Sequence, residues 1–235
     1  MKKKEIKGKI VYRFETPIYP ANILYVNLIA SYACINDCLF CSRPRGKNEI
    51  GKPNIYEKKT RSFLYLPKPP SADEIMKEIN NEIKEDDQEL AIIGLGEPLQ
   101  YLPTVVEVVR RAKEKYPEIK VRIDTNGLVK CMYEMPAQKL ELAGLDEIRI
   151  SVNAINKKEY DVICRPQFKN AFENLTDFVG DCVNSKIETY VSFVIGFKCG
   201  EVKPRISQEY IEFTKSLGID KDHVILRNYV EPLEE

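Results

Sequence analysis

The chain has 235 residues, of which 43% are hydrophobic, and this length and content predict one globular domain over residues 1–235 with a sizeable core and no membrane span. Its 36 Lys and Arg residues balance 36 Asp and Glu residues, so the chain as a whole offers no electrostatic reason to bind nucleic acid. Seven cysteines without an apolar export signal after Met1 indicate the reducing cytoplasm.

Strands and helices are predicted to alternate along the chain. A leading strand at residues 9–14 and a first core strand at 23–29 are rich in β-branched and aromatic residues. Five more strands are predicted at residues 90–93, 121–123, 147–153, 190–196 and 224–226. Segments of helical periodicity separate them, at about 71–83, 103–116, 136–143, 168–183 and 207–217.

This alternation favours a parallel sheet with right-handed crossovers. Six core strands are too few for a closed eight-unit barrel, so the predicted fold class is α/β, an open partial (β/α)6 TIM-like barrel with its core at about residues 22–231. In such barrels the active site gathers at the carboxyl ends of the strands. Polar and glycine residues follow most of the predicted strands, which agrees with a site at those ends.

Three cysteines follow the first core strand within eight residues. Cys34, Cys38 and Cys41 have x3 and x2 spacing, and three thiolates on one loop can hold a metal centre. A four-iron cube usually takes four cysteines. The nearest other cysteine is Cys131, so a cube on this loop would leave one iron without a protein ligand. An open coordination position is where chemistry takes place, as in catalytic zinc sites.

Other interpretations of the cysteines stay open at this point. A structural or interaction module with zinc bound by three cysteines and a histidine would need a remote fourth ligand such as His223, the only histidine. An electron-transfer protein would use a cluster alone. Cys131, Cys164, Cys182 and Cys199 share no short spacing, so we expect no second cluster from them.

The C-x3-C-x2-C run with Phe40 before its last cysteine resembles the cluster loop of radical S-adenosylmethionine (SAM) enzymes. The resemblance implies the partial (β/α)6 barrel, a 4Fe-4S cluster on Cys34, Cys38 and Cys41, and SAM chelated to the open iron. It also implies the chemistry, in which the reduced cluster cleaves SAM to a 5'-deoxyadenosyl radical that takes hydrogen from a substrate. A one-electron donor of the flavodoxin or ferredoxin class is implied as well.

Further strand ends resemble motifs of this superfamily. Leu95-Gly96-Glu97-Pro98 is similar to its Gly-Gly-Glu-Pro motif, whose backbone meets the amino group of the cofactor, although Leu95 replaces the first glycine. Residues 124–126 resemble a strand end that meets the methionine carboxylate or the ribose, and the next strand often adds polar contacts to the ribose. Ordinary turns are the alternative for each motif. The implied cofactor-binding residues are Phe40, Gly96, Glu97, Asp124, Thr125, Asn126, Ser151 and Asn153.

Among compact members, the chain resembles TatD-linked radical SAM proteins and the activating enzymes of glycyl-radical enzymes such as pyruvate formate-lyase. Activation of a glycyl-radical enzyme is therefore an alternative function. Residues 43–70 are predicted to form a long loop over the barrel mouth, and a basic, partly aromatic loop of this kind suits RNA, an anionic metabolite or an acidic protein surface. A solvated loop is the simpler interpretation. Its cations are Arg43, Arg45, Lys47, Lys52, Lys58, Lys59, Arg61 and Lys68.

Overall fold

The computed structural model describes residues 8–14, 22–44, 63–200 and 202–229. Within them a sheet of seven strands follows chain order, and its first strand is antiparallel to the second. The strands are β1 (Val11–Tyr12), β2 (Ile23–Val26), β3 (Glu89–Ile92), β4 (Lys120–Thr125), β5 (Glu147–Ser151), β6 (Glu188–Ile195) and β7 (Val224–Asn228). The α-helices are α1 (Ala72–Glu82), α2 (Leu102–Lys115), α3 (Pro136–Leu142), α4 (Lys157–Cys164), α5 (Ala171–Val183) and α6 (Ser207–Ser216).

The predicted fold class is confirmed: the sheet is open and has the partial barrel architecture. Strands β2 and β3, β5 and β6, and β6 and β7 pair in parallel, as the alternation with helices required. The sequence did not predict α4. Its start is marked by Asn156, whose side chain accepts a hydrogen bond from the Glu159 N–H at 3.0 Å and so caps the first turn.

The chain divides into two compact units. Unit 1 is Met1–Cys34 with Ser42–Arg122, and unit 2 is Ile35–Cys41 with Ile123–Glu235. The single-domain organisation remains a prediction. In the part of the chain that the structure describes, no helix has both the length and the apolar character needed to cross a membrane. Most of the basic loop at 43–70 lies outside the described residues.

In unit 1, short polar contacts define where elements begin and end. The Ser71 Oγ accepts from the Glu74 N–H at 3.2 Å while the Glu74 carboxylate accepts from the Ser71 N–H at 2.9 Å, and the two bonds form a capping box at the start of α1. After β2, the buried Asn27 donates to the Leu64 carbonyl at 2.8 Å and accepts from the Ile29 N–H at 3.1 Å. The Asn27 side chain therefore helps to hold the chain that leaves β2, together with backbone bonds such as that from the Asn27 N–H to the Ile10 carbonyl.

In unit 2, the register of the parallel strands arranges side chains in rows on one face of the sheet. Phe193 of β6 packs against Tyr210 of α6, with ring centroids 4.7 Å apart, so its face is the one that the helices cover. Residues on either side of Phe193 point to the opposite, inner face. The inner-face rows are Arg149, Tyr190 and His223, then Ser151, Ser192 and Ile225, then Val194 and Arg227.

Candidate active site

The loop that carries the last two cysteines of the motif is fastened to the end of α4. In unit 2 the Asp37 N–H donates to the Cys164 carbonyl at 3.0 Å, and the Leu39 N–H donates to the Ile163 carbonyl at 2.9 Å. The last carbonyls of a helix have no partner inside the helix. The loop N–H groups use these carbonyls, so the helix that the sequence did not predict positions the loop.

Two further contacts complete this attachment. The Gln167 N–H donates to the Ile35 carbonyl at 3.0 Å, and the buried Asn36 side chain donates to the Tyr160 hydroxyl at 3.0 Å. Helix α4 stops here because Arg165 takes a left-handed conformation with φ of 45° and a proline follows. The sequence signal for the attachment is this helix end at Arg165 and the proline that follows it.

The thiols themselves fit an iron-sulfur cluster. Cys34 in unit 1 and Cys38 and Cys41 in unit 2 are each half-buried, whereas Cys164 and Cys182 are buried. The described residues contain no group of three or more His, Cys, Asp or Glu side chains that converges on one metal-ion position. A single zinc ion requires such convergence, while each cysteine of a cube binds a different iron. Cysteine thiols are the donors that iron-sulfur clusters take, so the residue types present fit such a cluster.

The remaining cysteines and the histidine have environments of their own. Burial raises the pKa of the Cys131 thiol, and burial together with the nearby Asp181 carboxylate raises that of Cys182. His223 precedes β7 and packs against Tyr190, with tilted rings whose centroids lie 4.3 Å apart. These surroundings agree with structural positions for all three residues.

In unit 1, Gly96 lies against the residue that precedes Cys34. The Glu97 N–H donates to the Ala33 carbonyl at 2.9 Å. A Cβ on Gly96 would lie 2.3 Å from that same carbonyl oxygen and 2.7 Å from Ile29, and the φ of Gly96 is +134°. Only glycine tolerates this combination. The strand end after β3 and the start of the cysteine loop are thus packed backbone to backbone.

The neighbours of Gly96 have structural partners. Glu97 is 1% exposed, and its Oε1 accepts from the Leu99 N–H at 2.8 Å, which caps the 3-10 helix Pro98–Tyr101. Leu95, which replaces a glycine of the family motif, packs against a core cluster built largely of aromatic side chains. The departure from the motif therefore extends a hydrophobic core, and it leaves the backbone at Gly96 and Glu97 in place.

In unit 2, residues 124–126 form a tight strand end. The Thr125 Oγ1 accepts from the Gly127 N–H at 3.0 Å, and the Asn126 Oδ1 accepts from the Leu128 N–H at 3.0 Å. These two side chains hold the turn into the next 3-10 helix. The Asp124 carboxylate instead lies 3.9 Å from the Arg227 guanidinium of β7.

The strand end after β5 is held in a similar way. The Ser151 and Ser192 hydroxyls lie 3.3 Å apart, and the Asn153 Oδ1 accepts from the Val194 N–H at 3.1 Å. Asn153 has a φ of 59°, a left-handed conformation that asparagine adopts more readily than most residues. Its side chain therefore joins the ends of β5 and β6.

Three aromatic rings of unit 2 lead away from the cysteine loop. Phe40 contacts Phe197 edge to face with centroids 6.1 Å apart, and Phe197 contacts Tyr229 edge to face at 4.9 Å. Phe197 follows β6 and Tyr229 follows β7. The sequence analysis missed both rings, although aromatic residues directly after predicted strands were a signal for them.

The structure thus distributes the predicted site residues over both units. Unit 1 contains Cys34, Gly96 and Glu97, and the contacts of Gly96 and Glu97 lead to the residue before Cys34. The others belong to unit 2, at its cysteine loop and at the carboxyl ends of β4 and β5; they are Cys38, Phe40, Cys41, Asp124, Thr125, Asn126, Ser151 and Asn153.

Comparison with known proteins adds a family and a fold. A sequence model described as the Radical SAM superfamily matches residues 28–201. A Methanococcus maripaludis (strain C5) protein named probable GTP 3',8-cyclase is 28% identical over 147 residues, which cover 62% of this chain and 41% of that protein.

Solved structures of similar fold are larger. Streptococcus suis SuiB bound to S-adenosylmethionine matches with a TM-score of 0.59 at 17% identity, covering 90% of this chain and 43% of SuiB. HydG, a hydrogenase maturase, matches with a TM-score of 0.61 at 14% identity, covering 90% of this chain and 44% of HydG. The chain therefore spans less than half the length of these relatives, and the structural likeness shows a shared fold.

Proposed function

This chain belongs to the radical SAM superfamily, whose enzymes bind SAM and a 4Fe-4S cluster, and we propose that it cleaves SAM reductively to act on a substrate still to be identified. When bound, the cluster and SAM supply a one-electron cleavage that yields a radical able to take a hydrogen atom. The observation that carries the proposal is the cysteine loop, with half-buried thiols and a backbone fastened to α4.

The residues of the chain would hold and orient these groups. Cys34, Cys38 and Cys41 would ligate the cluster, and the bonds from Asp37 and Leu39 to the end of α4 would fix the loop before the cluster binds. Such preorganisation lowers the ordering entropy that ligand binding must offset.

The proposed cofactor contacts fall into two kinds. The side chains of Glu97, Thr125, Asn126 and Asn153 accept backbone N–H groups, so they would act mainly by shaping the strand ends, as would the backbone of Gly96. The ring of Phe40 and the polar groups of Asp124 and Ser151 would touch the cofactor directly.

The narrower functional alternative is activation of a glycyl-radical enzyme, which uses the same cofactors on a protein substrate. The relatives point to varied substrates, since one is named a GTP cyclase and SuiB has a structure bound to its precursor peptide. We propose a one-electron donor of the flavodoxin or ferredoxin class, and a cytoplasmic location because thiolate ligands require reducing surroundings.

Anaerobic reconstitution tests this function. The protein should acquire one 4Fe-4S cluster, and with dithionite and SAM it should slowly form methionine and 5'-deoxyadenosine. Ala in place of Cys34, Cys38 or Cys41 should abolish cluster absorbance and cleavage, while Cys131→Ala, a half-buried cysteine elsewhere in unit 2, should retain both. Stoichiometric zinc without iron-sulfur absorbance after reconstitution would refute the proposal.

Deuterium transfer then separates the substrate classes. Labelled candidates are added to the reduced, SAM-loaded protein, and 5'-deoxyadenosine is analysed for deuterium by mass spectrometry. Transfer from a small molecule or RNA indicates a modifying enzyme. Transfer from a protein, with a glycine-centred radical in electron paramagnetic resonance, indicates an activating enzyme.

A further inference from the structure

Arg227 of β7 occupies a position at the strand ends that the sequence motifs did not single out. The register pairs Val194 with Arg227, so both side chains lie in the third inner-face row, on the face opposite Phe193 and the helices. The row below contains Ser151, one of the proposed cofactor contacts. Asn153 bonds to the backbone of Val194 and so lies beside the third row.

The guanidinium reaches over the inner face of unit 2. Arg227 approaches the Asp124 carboxylate at 3.9 Å, although β5 and β6 separate β7 from β4 in the sheet order. The Arg227 side chain is 49% exposed while that of Asp124 is 14% exposed. A cation therefore lies at the carboxyl ends of the strands and is accessible to a ligand.

The contact with Asp124 leaves the guanidinium able to bind another group. A separation of 3.9 Å exceeds a hydrogen-bond distance, and a guanidinium has five N–H donors in a planar fork. Asp124 would orient the guanidinium through charge attraction, and at this distance it would not accept a hydrogen bond from the guanidinium N–H groups. The fork matches two oxygens of a carboxylate or phosphate.

The same stretch of β7 connects to the cysteine loop. The Tyr229 N–H donates to the Ile195 carbonyl at 2.8 Å, which continues the strand pairing by one residue. Strand alternation then gives Tyr229 the same face as Arg227. The ring of Tyr229 contacts Phe197, which contacts Phe40 beside Cys41. Tyr229, the next residue of β7 on the same face as Arg227, is thus connected through Phe197 and Phe40 to the loop of the proposed cluster.

From this juxtaposition we propose that Arg227 is an oxyanion-binding residue that takes a carboxylate or phosphate group at the carboxyl ends of the strands. The inference rests on the proposed function for the identity of the site. The oxyanion has two sources, the substrate and the methionine carboxylate of SAM. We expect the substrate, because the proposed cofactor contacts on the sheet follow β3, β4 and β5, whereas Arg227 lies on β7.

Binding measurements with inorganic pyrophosphate and SAM test the proposal. Each is titrated calorimetrically into anaerobic, cluster-loaded protein, with pyrophosphate measured with and without saturating SAM. Arg227→Gln should weaken pyrophosphate binding roughly 10-fold or more, because a hydrogen bond to a charged group is lost. Arg227→Lys should lose less, since it keeps the charge and loses only the fork.

Arg110→Gln is the matched control. It makes the same chemical change and removes the same charge, but Arg110 lies on α2 in exposed ion pairs with Glu107 and Glu114. Its affinities for both ligands should equal those of the wild type. Circular dichroism and cluster absorbance verify that each variant is folded and loaded.

The outcomes separate the two sources and the two proposals. Weaker pyrophosphate binding with unchanged SAM affinity supports a substrate oxyanion, and weaker SAM binding alone supports the methionine carboxylate. Arg227→Gln affinities equal to the wild type for both ligands overturn the inference. Cluster loading and SAM cleavage by the wild type test the proposed function. A failure of the proposed function can therefore be recognised independently of the anion affinities.

Discussion

The two ends of the strands use their polar side chains differently. At the amino ends, charged residues neutralise each other: Arg122 bonds to Glu89 at 2.6 Å in unit 1, and Arg149 bonds to Glu147 at 2.5 Å in unit 2. At the carboxyl ends, polar side chains instead accept backbone N–H groups of the chain that leaves the strand, as Thr125 does for Gly127.

This difference separates stability from site construction. An ion pair between side chains neutralises both charges, so it serves the fold rather than the binding of a ligand. A side chain that fixes a turn holds the backbone of that turn and the adjacent residues in one geometry. A cofactor that carries the chemistry itself requires such fixed binding groups. Arg227 is exposed at the carboxyl end, and its 3.9 Å separation from Asp124 is too long for a hydrogen bond, so its donors are not used as in the close ion pairs and we assign it to a ligand.

The largest effect is expected from breaking an ion pair at the amino ends. Arg122→Met should lower the free energy of unfolding by about 3 kcal/mol, because Glu89, only 15% exposed, would remain as a buried unpaired charge. Urea unfolding followed by circular dichroism measures the change. Cluster loading of the folded variant should match the wild type.

The double variant Arg122→Met with Glu89→Met is the control for this prediction. It removes the charge left behind and should regain most of the lost stability, because apolar residues replace buried ion pairs well. Equal stability of the single and double variants would show that the pair is not the source of the effect.

A smaller loss of stability is expected at Gly96, together with a defect in the cysteine loop. Gly96→Ala places a methyl group 2.3 Å from the Ala33 carbonyl oxygen at a φ of +134°, and such strain amounts to about 1–3 kcal/mol. Because Ala33 precedes Cys34, reconstituted protein should also hold less cluster per chain. Urea unfolding and iron analysis measure the two effects.

Gly196→Ala separates the clash from the backbone conformation. Gly196 also has a positive φ, of +77°, but nothing lies within 4 Å of a Cβ there. The Gly196→Ala variant should have a lower free energy of unfolding only because alanine is strained at a positive φ, and it should retain full cluster loading. If Gly196→Ala reduces cluster loading as much as Gly96→Ala does, the contact with Ala33 is not what couples the strand end to the loop.

The sequence predicted what short-range patterns determine. The alternation of strands and helices and the cysteine spacing depend on residues close together in the chain, and the predicted fold and superfamily followed from them. Helix α4 was not predicted because it is short and its contacts are distant in sequence. It holds the cysteine loop, and its Tyr160 lies 124 residues from its partner Asn36.

Partners distant in sequence explain the other omissions. Gly96 was expected to leave room for the cofactor, and the structure adds that it leaves room for the Ala33 carbonyl. The position of Arg227 at the site follows from the strand register and from its proximity to Asp124. A single sequence reveals neither of these. Periodicity predicts which face a residue occupies, but not which residue of another strand lies beside it.

The smallest effect is expected at Asn153, where the two uses of a polar residue can be told apart. Asn153→Ala removes the acceptor of the Val194 N–H and should lower the free energy of unfolding by about 1 kcal/mol. Asn153→Asp keeps an acceptor oxygen in the same place, but it loses the amide donor near the Ser151 carbonyl and adds a charge where Asn153 is only 7% exposed, so it should also lower the free energy of unfolding. Urea unfolding of the three proteins, with SAM affinity by calorimetry, measures both properties. If Asn153 shapes the strand end, SAM affinity should fall in parallel with stability in both variants. A variant whose SAM affinity falls much further than its stability would instead indicate that the amide itself contacts the cofactor, and the distinction between turn-forming and ligand-binding residues would then fail at this position.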